Sequence, residues 1–67
     1  MTDIDLMIKL KGAPTVRALH KTTGLRKKYI RRALEVLRAR GLVEKVKLDG
    51  GGHEWHLTES GEALVGG

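Results

Sequence analysis

The side chains with the clearest chemistry are basic and lie between positions 25 and 41. This segment holds seven Lys and Arg side chains and one carboxylate, so its net charge of +6 exceeds the +5 of the whole chain. Ammonium and guanidinium groups bind phosphate oxygens, and a positive field concentrated in one place attracts polyanions. The pattern therefore indicates a nucleic-acid-binding surface, with a merely solvated helix as the alternative. The basic residues are Arg26, Lys27, Lys28, Arg31, Arg32, Arg38 and Arg40.

The other reactive side chains form no pattern typical of an enzyme or a metal site. Neither Ser60 nor Thr58 has a His and an acidic residue at a spacing that indicates an activated nucleophile. His53 and His56 are three apart in a predicted strand, which places them on opposite faces. The chain has 0 Cys, so no thiolate can bind zinc. We therefore expect no catalytic residues, no metal, no cofactor and no small-molecule substrate.

Length and composition predict a single small domain. A chain of 67 residues buries only about 60% of its unfolded surface, so its core is marginal. No apolar run approaches the roughly 20 residues needed to span a bilayer, and the N-terminus does not resemble a signal peptide. We expect one domain over residues 1–67 and no membrane partner. The expected location is the cytoplasm, with nucleoid association if the host is prokaryotic or viral.

Apolar spacing and capping residues predict three helices in the first two thirds of the chain. Thr2 and Thr15 are suitable N-caps for the first two helices, and Gly12 with the following Ala-Pro ends the first. The third is the long basic helix over about 26–40, closed by Gly41.

In the last third of the chain, the residue pattern changes from helical to strand-like. Val and Leu are interleaved with charged residues before Gly50–Gly52, and an extended pattern around Trp55 and Leu57 follows, which predicts a β-hairpin over about 42–58. Thr58 then caps a short helix that ends near Val65. Three residues of this helix are expected to pack against the core: Ala63, Leu64 and Val65.

The same spacing predicts which faces are buried. In the third helix one arc is apolar and the opposite arc is charged. Trp55 is expected to cap the core rather than stack on a base. The broad apolar arc of the first helix has two interpretations of equal weight, a dimer surface or a packing face for the last helix. Its residues are Ile4, Leu6, Met7, Ile8 and Leu10; the inward residues of the third helix are Ile30, Ala33, Leu34 and Leu37.

Several spaced segments resemble winged helix-turn-helix regulators of the MarR and ArsR type. They are Val16–Leu19, Thr23–Leu25, Tyr29–Leu34 and Gly41–Glu44, and Leu57–Gly61 matches the segment that closes the wing. The resemblance covers most of residues 4–65. It implies a mostly α fold with a small β-hairpin, namely a three-helix winged helix-turn-helix plus a short C-terminal helix. It also implies binding of double-stranded DNA, with the third helix in the major groove and the hairpin tip over the backbone or minor groove.

The resemblance carries over to particular positions. Lys27, Lys28, Tyr29, Arg31 and Arg32 match positions that reach DNA, and Thr15 and Arg17 match common phosphate contacts. Arg has the right shape for guanine O6 and N7, which favours Arg31 and Arg32 for base reading. Lys27 and Lys28, nearer the helix start, are expected at phosphates. In the wing, Lys45 and Lys47 are the expected anchors.

Two positions depart from the family pattern. His20 occupies a place usually held by a small Ala between helices, so its ring either changes the helix crossing or points outward. Arg26 stands where Ser or Thr would cap the third helix, a cap usually worth ~1 kcal/mol. We hypothesise that Arg26 reaches the DNA backbone instead.

The sequence thus predicts a non-enzymatic, sequence-specific double-stranded DNA-binding protein that regulates transcription. The family's regulators dimerise through flanking helices, which suggests a homodimer formed by the first and last helices. The alternatives are a protein–protein adaptor that docks an acidic partner on the same basic helix, or an RNA-binding protein. The chain has no aromatic platform for single-stranded bases, which disfavours RNA.

Overall fold

The computed structural model describes residues 2–66, so the two ends of the predicted domain, Met1 and Gly67, lie outside the described residues. The elements follow the predicted order within a few residues of the predicted bounds. They are α1 (Asp3–Leu10), α2 (Val16–Thr23), α3 (Lys27–Ala39), β1 (Val43–Lys47), β2 (His53–Leu57) and α4 (Glu59–Leu64).

Threonine side chains start three of the helices. Thr2 and Asp5 form a reciprocal capping box at α1. The Thr15 hydroxyl accepts a hydrogen bond from the Ala18 amide at 3.0 Å. Thr58 accepts from the Gly61 amide at 3.1 Å and donates to the Gly41 carbonyl at 2.6 Å. The bonds that the three threonine hydroxyls accept satisfy amides that have no partner inside the helix.

The hairpin pairs β1 and β2 in antiparallel register, with Lys45 opposite Trp55. Its turn needs glycine, because Gly51 and Gly52 both have positive φ, at +94° and +83°. On its other edge, β2 is tied to the turn between α1 and α2, since the Trp55 amide donates to the Pro14 carbonyl at 2.7 Å. The wing is therefore fixed to the start of α2.

The core forms where the three main helices meet the base of the hairpin. Trp55 is only 4% exposed, which confirms its predicted place in the core. The buried residues are Leu6, Met7, Leu10, Ala13, Leu19, Ile30, Leu34, Leu37, Val43 and Trp55.

α1 and α4 pack differently from the prediction. Only Val65 of the three predicted α4 residues packs against the core, and the prediction was wrong for Ala63 and Leu64, which are exposed. The reason is that α4 contacts the core through buried Gly61, which sits against the backbone of Leu42.

The apolar arc of α1 is divided between the core and the solvent. Leu6, Met7 and Leu10 are buried within the domain, whereas Ile4 and Ile8 are 44% and 49% exposed. Most of the arc is therefore core. Only the two isoleucines present an apolar surface to solvent.

His20 points outward, which was the second of its two predicted outcomes. The residue is exposed, and its Nδ1 lies 2.6 Å from the Leu25 carbonyl oxygen. Because the ring leaves the helix contact, α2 and α3 pack through other residues such as buried Leu19 and Ile30.

Candidate nucleic-acid interface

The outer face of α3 is a continuous row of exposed charged side chains. Ile30, Leu34 and Leu37 are fully buried on the inner side of the helix. Successive residues rotate by about 100°, so the residues between them project away from the core. The exposed basic residues at and near the N-terminal half of α3 are Arg26, Lys27, Lys28, Arg31 and Arg32.

Ion pairs divide the basic residues of this helix into two groups. Arg38 lies 3.4 Å from the Glu35 carboxylate, and Arg40 lies 3.4 Å from Asp3. Within residues 2–66, no carboxylate pairs with any of the five basic residues from Arg26 to Arg32. The charge that is available to an anion is therefore concentrated in the first half of α3.

Arg26 begins α3 without capping it. It occupies the N-cap in an extended backbone conformation, and its side chain makes no capping hydrogen bond. The first amides of α3 and Arg26 thus lie at one end of the helix, and no side chain of the described residues 2–66 satisfies those amides. Such an arrangement favours an anion.

A groove of about 470 Å³ connects α3 with the start of α2 and with the wing. It brings together four of the predicted site residues, Thr15, Arg17, Arg31 and Lys45. The remaining lining residues are Val16, Glu35, Leu48, Gly52, His53 and Trp55. The other predicted residues lie outside this lining: Arg26, Lys27, Lys28, Tyr29, Arg32 and Lys47.

Lys45 is the better placed of the two wing lysines. Its Nζ lies 5.3 Å from the centre of the Trp55 ring, close enough for a cation–π interaction. Because Trp55 is buried and its amide is bound to Pro14, this contact holds the ammonium at the groove. Lys47 is exposed, opposite His53, nearer the hairpin turn.

Glu35 and His53 are groove residues that the sequence analysis did not select. Glu35 is one helical turn beyond Arg31, and that spacing could have placed it on the same face. His53 reaches the groove through the strand register, which the sequence did not define because the glycine turn permits several loop lengths.

The part of the chain from Thr2 to Gly66 contains no group of three or more His, Asp and Glu side chains able to hold a metal ion. In the same residues, no helix is long and apolar enough to cross a membrane.

No family model and no curated protein matches this chain, but solved structures do. A mutant of MarR from E. coli complexed with operator DNA superposes with a TM-score of 0.86 at 22% identity. BpsR from Bordetella bronchiseptica, solved to explain how 6-hydroxynicotinic acid regulates its DNA binding, gives 0.82 at 25% identity. The transcriptional regulator PA3341 gives 0.73 at 24% identity.

These matches cover 94% of this chain and 48%, 47% and 48% of the three solved chains, respectively. This chain thus spans about half the length of each. The likeness shows that the chain has the winged helix-turn-helix fold of MarR-type regulators, and it confirms the predicted fold class.

Proposed function

We propose that this protein binds double-stranded DNA with sequence specificity and regulates transcription. The observation that carries the proposal is the row of five basic side chains along the first half of α3 that form no ion pair within residues 2–66, in a fold that MarR from E. coli shares. A helix of this kind fits the major groove, which is about 12 Å wide. Recognition by such a domain involves no catalysis.

In the proposed interface, different residues of α3 bind the phosphates and read the bases. Arg31 and Arg32 lie one turn into α3 and read base edges, since guanidinium binds guanine O6 and N7. Lys27 and Lys28 bind phosphates at the helix start, and Tyr29, which is half exposed, hydrogen-bonds a phosphate at the edge of the face.

The start of α2 and the wing add phosphate contacts on the two sides of α3. Arg17 is exposed in the first turn of α2, where helix amides favour phosphate. The Thr15 hydroxyl already caps that helix, so it orients the amides and adds little as a separate ligand. Lys45 and Lys47 anchor the wing on the backbone.

We also propose that the protein acts as a homodimer. A single DNA-binding module buries about 600–1,000 Å², often too little for tight specific binding. Exposed Ile4 and Ile8 on α1 and Leu64 on α4 supply apolar surface for a second copy. A regulator of this kind works where the genome is, which is the cytoplasm or nucleoid of a prokaryotic host.

Replacement of Arg31 and Arg32 by Ala tests the proposal. We expect at least a tenfold loss of affinity for a selected duplex, because each good bidentate contact is worth about 1–3 kcal/mol. The matched control replaces Arg38 and Arg40 by Ala. It removes the same charge at the C-terminal end of α3, where both arginines are already ion-paired.

The adaptor alternative predicts a different result. If α3 docks an acidic protein, the Arg31 and Arg32 variant loses that partner in a pull-down while duplex DNA binds neither form. Equal losses of DNA affinity in the test and control variants would show that only net charge matters, and would refute base reading by α3.

A further inference from the structure

Glu35 is a carboxylate placed among basic side chains that face DNA in the proposed function. It lies on α3 one turn after Arg31, and both line the groove that Arg17 and Lys45 also line. It is the one carboxylate in that lining. A carboxylate here opposes the approach of phosphates, so its presence in a DNA-binding groove needs an explanation.

A contribution of Glu35 to the stability of the fold does not explain it. The only partner of Glu35 in residues 2–66 is Arg38, which contacts Oε1 at 3.4 Å, and both side chains are about half exposed, at 52% and 55%. Exposed ion pairs with this geometry contribute little to folding. The second carboxylate oxygen, Oε2, has no hydrogen bond within the same residues and remains available as an acceptor.

The chemistry of the major groove indicates what the carboxylate would read. Cytosine presents only the N4 amino group there, a donor, whereas guanine presents two acceptors and thymine presents O4 and a methyl group. Adenine presents an N6 donor, but beside the N7 acceptor, which repels a carboxylate. A carboxylate accepts from cytosine N4 and is repelled by guanine O6 and N7 and by thymine O4. Its position one turn from Arg31 places it on the face that reads base edges.

We infer that Glu35 is a specificity-determining residue that selects cytosine in the bound site and lowers affinity for every other sequence. This inference rests on the proposed binding of duplex DNA by α3. It gives Glu35 the opposite effect from its neighbours, because it weakens non-specific binding while sharpening the choice of base.

Substitution Glu35→Gln tests the inference, since it removes the charge and keeps the side-chain shape. A site is first selected from random duplexes with the unmodified protein, and affinities are then measured for that site and for its single-base variants. We expect one cytosine whose replacement costs the unmodified protein about fivefold or more. In Glu35→Gln that penalty should shrink, because the neutral amide no longer repels the acceptors of the other bases, while affinity for random duplex rises.

The control is Glu44→Gln, which removes the same charge outside the groove. Glu44 is exposed on β1, paired with His56, on the face opposite to that of Lys45. If both variants gain the same affinity for random duplex and keep every base preference, Glu35 acts only as a charge and the inference fails. That failure leaves DNA binding by the unmodified protein intact. Failure of the unmodified protein to bind any duplex would overturn the proposed function as well.

Discussion

Gly61 shows how much one residue controls in a core this small. A Cβ at this position would overlap the Leu42 carbonyl oxygen and lie 3.3 Å from the end of Met7. The same carbonyl accepts the Thr58 amide at 3.0 Å, so it cannot move without loss of a hydrogen bond at the start of α4. A side chain here therefore separates α4 from the hairpin base.

We expect Gly61→Ala to lower the free energy of unfolding by about 1–3 kcal/mol, the usual cost of overpacking. Urea denaturation followed by circular dichroism measures it. The matched control is Gly50→Ala, because Gly50 has negative φ and open space around its Cα, and we expect a change within about 0.5 kcal/mol. Equal effects at the two sites would contradict the packing assigned to α4.

Arg26 tests the balance between stability and binding at the start of α3. Since Arg26 makes no capping hydrogen bond, Arg26→Ser should raise the free energy of unfolding by about 1 kcal/mol. The same change should weaken DNA binding, because a phosphate contact is lost. Denaturation and duplex titration of the one variant measure both effects. Higher stability with unchanged affinity would refute the hypothesis that Arg26 contacts DNA.

At the scale of the elements, Trp55 attaches the wing to the helical part of the domain. Trp55 is buried in the core, its amide binds Pro14, and its ring carries the Lys45 ammonium on the groove side. The base of β2 is thus anchored in the core, and the glycine turn lies farther out. Lys45 is the wing residue best positioned for a phosphate.

We expect Lys45→Gln to weaken binding by a similar factor for all sequences and to reduce the salt slope by about 1, as for one lost phosphate contact. Lys9→Gln is the control, since Lys9 is exposed on α1, outside the groove lining. Titrations at several salt concentrations distinguish the two variants. A sequence-dependent loss in Lys45→Gln would instead indicate base reading by the wing.

The elements could be predicted from the sequence because their signals are local. Threonine caps, helix-ending glycines and the period of Ile30, Leu34 and Leu37 all lie within a few residues of what they determine. The packing of α4 could not be predicted in the same way. Which side of a short helix is buried depends on the backbone it meets, here the Leu42 carbonyl beside Gly61.

The site could be predicted in part for the same reason. The outward face of α3 follows from helix period alone, so its basic residues were identified from the sequence. The groove depends on how the hairpin is joined to the start of α2, and His53 enters it through the strand register. Glu35 was visible as a charge on α3, but its place in the groove required the fold.

At the scale of the whole molecule, the proposed homodimer is tested at the exposed isoleucines of α1. Because Ile4 and Ile8 are about half exposed, replacing both by Ser should leave the fold intact and shift a dimer towards monomer in sedimentation equilibrium. Leu6→Glu is the contrasting variant. Leu6 is buried, so a charge there should unfold the domain.

An unchanged dimer in the Ile4 and Ile8 variant would place the interface elsewhere. A folded Leu6→Glu protein, identified by a cooperative thermal transition, would contradict the core described for α1. The two variants therefore test assembly and packing separately.

The central claim is that the basic face of α3 binds duplex DNA, and fluorescence anisotropy across a salt series tests it most directly. The probe is a random-sequence duplex of about 20 bp, and contact with roughly five phosphates predicts that log K falls with log salt at a slope of about −4 to −5. Absence of binding at low salt, or a slope near zero, would contradict the claim. The basic helix would then have to serve an RNA or an acidic protein.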